Sequence, residues 1–180
     1  MTCAKPIVRS NSGTRAENAD ALQAIFDDQQ RPIYEHRLAH RGFSMTDSQL
    51  ADVYRGYIAC LNEQDWPTLA RFVHDDVRHN GKQIGVKGYR EMLERDFAEI
   101  PDLYFNIELL VAQPPHVASR LHFNCTPRER FLDLDVNGVK LSFVENVFYE
   151  FLDKKILHVW SVIDKAAIEA QLRDRGPSGA

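Results

Sequence analysis

Long apolar runs, paired cysteines and a dominant charge are what this sequence lacks. No stretch approaches the roughly 18 consecutive apolar residues that a bilayer-spanning helix needs, so nothing reads as a membrane span. Cys3, Cys60 and Cys125 are odd in number and far apart, without the CxxC spacing of a zinc or redox site, and read as reduced thiols of a cytoplasmic protein. The formal net charge is −4 and no Lys/Arg cluster dominates a segment, which argues against nucleic acid as a partner. Lys5 and Arg9 have no apolar segment behind them, so a secretory signal is not expected.

What is present fits a globular chain: 44% hydrophobic and 27% charged residues over a length of 180, enough for one core. Residues 1–45 read as an arm. Its first part is polar, and from Arg15 to Gln30 the apolar Ala16, Ala19, Leu22, Ile25 and Phe26 recur at helical spacing until Pro32 stops them. The segment 33–43, with His36 and His40, reads as packed on the surface or on a partner subunit.

The domain proper is expected over 46–173. Thr46 and Gln49 form a capping-box signature, and Leu50, Val53, Tyr54, Tyr57, Ile58 and Leu61 fall on one helical stripe behind it. Asp65 is placed to cap a second helix with Pro67 in its first turn. His74 to Asn80 reads as a loop entering a short strand, followed by a glycine-punctuated connector. Tyr89, Met92, Leu93 and Phe97 mark a third amphipathic helix.

Beyond Pro101 the hydrophobic period changes from 3.6 to 2. Leu103, Phe105, Ile107, Leu109 and Val111 alternate with mostly polar residues, and after Pro114-Pro115 so do Val117, Ser119, Leu121 and Phe123. Asn137-Gly138, between Phe131–Val136 and Val139–Phe151, is a strong hairpin signal because both residues tolerate positive φ. A polar reversal at Asp153, Lys154 and Lys155 leads into a last strand ending in His158, Trp160 and Asp164, which share parity and so one face if the strand is regular. A short helix carrying Ile168 and Leu172 closes the domain, and 174–180 reads as a frayed tail. Helices first and long antiparallel strands after them predict an α+β fold, a curved antiparallel sheet closed by helices into a cone with an apolar pocket.

This order, with Phe72-Val73-His74-Asp75-Asp76-Val77-Arg78-His79-Asn80, Gly85-Val86-Lys87-Gly88-Tyr89, Asp153-Lys154-Lys155-Ile156 and His158-Val159-Trp160 through Asp164, resembles the SnoaL-like polyketide cyclases (ester cyclases) of the nuclear-transport-factor-2-like superfamily. The likeness covers roughly 48–172. It implies a cone-shaped α+β barrel, a homodimer or homotetramer, and chemistry without metal or organic cofactor. In such cyclases an aspartate near the end of the last long strand is general acid and base in an intramolecular aldol ring closure; Asp164 matches it, and His158 falls near the histidine ahead of it. The chain departs from the pattern at Asn124-Cys125-Thr126-Pro127, where a Gly-Thr-His turn is usual, and at Lys154, where a glycine is usual.

The expected catalytic residues are therefore Asp164 and His158, and the expected substrate contacts are His79, Asn80, Trp160, Tyr54 and Tyr57. Each has a structural reading beside the functional one. Asp164 also fits a helix cap, His158 a hydrogen-bonded outer residue, and the tyrosines core packing. His74, Asp75, Asp76 and His79 lack metal-ligand spacing. Three activities stay open: a cofactor-independent cyclase or isomerase on a small, largely apolar carbonyl metabolite; a non-catalytic small-molecule-binding or dimerisation module; and an epoxide hydrolase, for which Arg120 is the candidate centre of an Asp-Arg-Asp network.

Overall fold

The computed structural model describes residues 45–174. The expected arm with its helix, the segment 33–43, Cys3 and the tail beyond 174 lie outside the described residues. Helix α1 (Asp47–Asn62) begins as predicted: the Thr46 hydroxyl accepts from Gln49 N at 3.2 Å, and the Gln49 amide oxygen accepts from Thr46 N at 2.9 Å. Asp65 caps α2 (Trp66–Leu69), a single turn with Pro67 inside it. Strand β1 (Val73–His79) follows, so the stretch expected to pass from loop into short strand at His74 to Asn80 is strand from its first residue.

Strand β1 turns into the short β2 (Lys82–Gln83) and then into α3 (Gly85–Glu99). Gly85 takes φ 65°, and a Cβ there would stand 3.1 Å from Asp75 O, so the helix starts tight over β1. Four further strands follow, β3 (Asn106–Gln113), β4 (His116–Cys125), β7 (Leu141–Leu152) and β8 (Lys155–Ile163), with a small hairpin of β5 (Arg130–Phe131) and β6 (Leu134–Asp135) between β4 and β7. Helix α4 (Lys165–Asp174) closes the chain against β7.

The expected α+β cone is present, but its sheet is mixed rather than wholly antiparallel. The order is β2-β1-β8-β7-β4-β3, and β1 runs parallel to β8. Helices α1 and α3 cover the inner side: α1 lies against β3 and β4, α3 against β1. Trp66 meets Phe97 edge-on at 5.7 Å, joining α2 to α3. The Asn62 side chain donates to Phe105 O at 3.1 Å and accepts from Phe105 N at 2.8 Å, fixing the end of α1 to the approach to β3.

Two extra residues in the sheet overturn sequence parities. In β3, Ile107 pairs with Leu121 and Leu109 with Arg120, so Glu108 is inserted. Leu109 and Val111, expected inside, are therefore 57% and 54% exposed, while Leu110 and Ala112 are half-buried. In β8, Phe151 pairs with Ile156 and Glu150 with His158, leaving Leu157 as the extra residue. Ile156 and Val159, three apart, are both buried, and the inward series becomes Val159, Ser161 and Ile163.

The expected hairpin at Asn137-Gly138 does not form as a strand pairing. Both residues do take positive φ, 46° and 74°, but Gly138 N donates to Pro127 O and Asn137 N to Glu129 O, closing a loop stem. The pairing turn is Leu132-Asp133, between β5 and β6. Among the described residues, no helix is long and apolar enough to cross a membrane.

The β7–β8 turn carries its own strain. Asp153 and Lys154 sit at φ 48° and 66°, the left-handed region where a side chain costs roughly 1 kcal/mol over glycine. Lys154→Gly is expected to raise unfolding free energy by about 0.5–1 kcal/mol in urea titration; a variant less stable than the parent would show that Lys154 makes a compensating contact.

Candidate active site

The cone holds a cavity of about 250 Å3 that opens to solvent. Strand alternation sends Phe143, Glu145, Val147 and Tyr149 of β7 into it, and the shifted register of β8 adds Val159, Ser161 and Ile163. From the helices come Tyr57, Tyr89, Leu93 and Asp96. Asp96 is seven residues after Tyr89 and three after Leu93, so the buried stripe of α3 carries a carboxyl into an apolar wall.

Glu145 accepts a hydrogen bond from the Ser161 hydroxyl. Ser161 is in turn fixed by Asn80, whose amide accepts from Ser161 N at 2.9 Å and donates to Ser161 O at 3.3 Å. Asn80 thus splices the end of β1 to β8, and it does not line the cavity. His79, the residue before it, does.

Burial governs the titration of these groups. It raises Asp96 from the ordinary 3.8 to about 7, with the nearby Glu99 and Glu145 charges adding and Arg95 opposing. Burial also raises Glu145, against the opposing effect of the Ser161 hydrogen bond, and it lowers His79. The Tyr57 and Tyr89 hydroxyls are 2.7 Å apart, and both are pushed far above the ordinary phenol range by burial, so they remain protonated donors.

The sequence-predicted residues divide accordingly. Tyr57 and His79 line the cavity; Tyr54 is fully buried behind it, its ring 5.1 Å from Tyr149 and 6.0 Å from Tyr57. His158 and Trp160 point to the outer face of the sheet because Leu157 reverses the parity of β8. His158 Nδ1 is 2.6 Å from Glu150 Oε2, and Trp160 is 42% exposed. Asp164 is exposed, and its carboxylate accepts from Ala167 N at 3.0 Å as the cap of α4. Asp164 and His158 therefore lie outside the cavity, and the carboxyls that line it are Asp96 and Glu145. Arg120 also faces outward, 3.2 Å from Glu108 and 3.3 Å from Asn146, and among the described residues lining the cavity there is no arginine to centre an epoxide-hydrolase network.

Sequence reasoning did not reach Asp96, an acid on the flank of the stripe of Tyr89, Leu93 and Phe97. Glu145 shared inward parity with Phe143 and Val147, yet its face could not be chosen without the sheet's curvature. Among the described residues, no three His, Cys, Asp or Glu side chains converge as a metal site would require.

A family model described as SnoaL-like polyketide cyclase matches residues 51–172. The chain belongs to this family. A SnoaL-like polyketide cyclase from Agrobacterium tumefaciens strain C58 is 51% identical, covering 71% of this chain and 99% of that one, with a TM-score of 0.69. More distant structures share the fold. TsrD from Streptomyces laurentii is 20% identical over 72% of this chain and 98% of its own, TM-score 0.63. IdmH from Streptomyces antibioticus is also 20% identical, over 69% and 99%, TM-score 0.61. No curated protein matches the chain. Within this SnoaL-like domain, the strand expected to carry the acid presents Ser161 inward, and the carboxyl it orients comes from the neighbouring strand.

The buried acid makes stability depend on pH. Asp96 has a folded-state pKa raised above its unfolded value, so the native state holds the proton longer and stability falls as pH rises from about 4 to about 7. Asp96→Asn is expected to remove most of that slope. It should be more stable than the parent by on the order of 2 kcal/mol near pH 8 and nearly equal near pH 4, by denaturant unfolding; equal stabilities at both pH values would mean that Asp96 is solvated.

Proposed function

We propose that this SnoaL-like domain is a cofactor-independent cyclase or isomerase acting on a small, largely apolar carbonyl compound, with Glu145 and Asp96 moving the protons. The observation that carries the reading is two carboxyls, both with raised pKa, inside one mostly apolar cavity. Two acids in one pocket titrate apart when their surroundings differ. The Ser161 hydroxyl favours ionised Glu145, which is the base; Asp96, raised to about 7, is the acid. Tyr57, Tyr89 and His79 supply polar contacts, and Asn80 positions Ser161.

In ring closure, Glu145 takes the proton from a carbon flanked by carbonyls and leaves an enolate. The enolate carbon bonds to a second carbonyl carbon of the same molecule, whose oxygen then takes the proton of Asp96. A proton passed from Glu145 to Asp96, directly or through solvent, restores the resting state. An isomerase cycle uses the same first step and returns the proton to a different carbon. The apolar walls keep water from quenching the enolate.

Turnover can be followed with a cyclic diketone bearing a ketone side arm, which closes to a bicyclic ketol. Glu145→Gln and Asp96→Asn are each expected to lower kcat by about 10²–10⁴ while the fold persists. In the parent, activity should fall at low pH as Glu145 gains a proton and fall again above about pH 7 as Asp96 loses one. Asp164→Ala should cost about 1 kcal/mol of stability as a lost cap and leave kcat unchanged. Loss of activity in that variant, with full activity in the two pocket variants, would return the chemistry to Asp164.

The outer sheet face favours a homodimer. Leu109 and Val111 of β3, Phe148 of β7, and Trp160 and Val162 of β8 expose their side chains there, between 42% and 68%. The same face carries Arg120 beside Glu108, so each sign can meet its opposite on a second copy related by a twofold axis. Phe148→Glu should convert a dimer to a monomer in sedimentation equilibrium; a parent that sediments as a monomer at micromolar concentration would sink this pairing.

A further inference from the structure

The cavity lining is sorted by chemistry along its length. On one side Phe105, Phe123, Phe143 and Phe131 make successive ring contacts at 5.4, 5.3 and 5.4 Å, and Phe123 and Phe143 lie nearly parallel at 25°. Along β7 the inward order is Phe143, Glu145, Val147 and Tyr149, so the carboxyl stands between an aromatic wall and a phenol cluster. Tyr149 meets the Tyr57 ring at 6.0 Å, and the Tyr57 hydroxyl is bonded to that of Tyr89.

In a hydroxyl pair one O–H donates to the other, which leaves the acceptor's own proton free to donate onward. Such a chain polarises its terminal donor. A ligand carbonyl oxygen there would receive that proton as a hydrogen bond, and the bond would strengthen as charge develops on the oxygen during proton removal. Flat rings suit the opposite wall, because stacked and edge contacts between aromatic faces add to apolar burial. Size narrows the choice of ligand. An apolar cavity of about 150 Å3 holds benzene, so 250 Å3 matches a substituted ring or two fused rings.

We propose that the substrate is a flat ketone of one or two rings, lying on the Phe123–Phe143 wall with its carbonyl oxygen on the Tyr57–Tyr89 hydroxyl pair. This rests on the reading of the pocket as a carbonyl-compound site, and it excludes tricyclic and tetracyclic ketones as substrates. It makes Tyr89, which sequence spacing marked only as helix core, a substrate contact.

The test uses indanone, a fused two-ring ketone with an isotope-labelled carbonyl, and anthrone, its three-ring counterpart. Indanone is expected to bind saturably, with its carbonyl stretch lower in the infrared than in hexane. Tyr89→Phe and the double variant with Tyr57→Phe, checked as folded by circular dichroism, should weaken binding roughly tenfold and return the stretch toward its hexane value. Phe143→Leu should weaken binding without moving the stretch, and anthrone should not compete. No saturable binding of indanone, an unchanged stretch in Tyr89→Phe, or anthrone binding as tightly as indanone would each overturn the proposal. None of these measurements needs turnover: carboxyl variants that remain active would sink the acid–base reading alone, and failed indanone binding beside carboxyl-dependent turnover would sink this one alone.

Discussion

One inserted residue, Leu157, decides what the cone contains. A regular strand from Ile156 onward would send His158, Trp160 and Val162 inward; the insertion sends Val159, Ser161 and Ile163 there instead. Everything that follows from the pocket depends on that choice. It places a hydroxyl where Glu145 can use it, and it leaves an indole and a histidine on the outside, where Phe148 and Glu150 meet them across the β7–β8 pair.

The pocket holds its acids at a cost to the fold. Carboxyls among phenylalanines, leucines and valines lose hydration, and they keep their protons longer, although Arg95 opposes this at Asp96. Ser161 offsets part of that cost for Glu145, and Asn80 spends its whole amide on holding Ser161. Groups that gain nothing for stability but stand where chemistry is wanted are the expected signature of an active site.

Much of the scaffold was legible in the sequence because local rules were enough. The capping box at Thr46, the Asp65 cap, the apolar stripes of α1 and α3, and the alternation through β4 all appear where spacing put them. The site was legible only in part. Tyr57 and His79 reached the cavity, whereas Asp164, His158 and Trp160 did not, since a bulge adds one residue without changing composition and so leaves no mark in the periodicity. The resemblance to the SnoaL-like cyclases was sound for the fold, but its aspartate position was carried onto a residue three places beyond the last inward hydroxyl. Asp96 was hidden for a different reason. A lone acid on a helix flank looks solvated until the facing sheet is known.

The hairpin of β5 and β6 is hydrogen-bonded within itself as a separate two-stranded sheet, yet its Phe131 and Leu132 form part of the cavity wall. The carboxyls, by contrast, sit on α3 and β7, inside the main body. The hairpin and the carboxyls are therefore carried by separable pieces of chain. Insertions or replacements in the hairpin can resize the chamber while Asp96 and Glu145 stay in register, so what the pocket admits can change apart from the groups proposed to move protons.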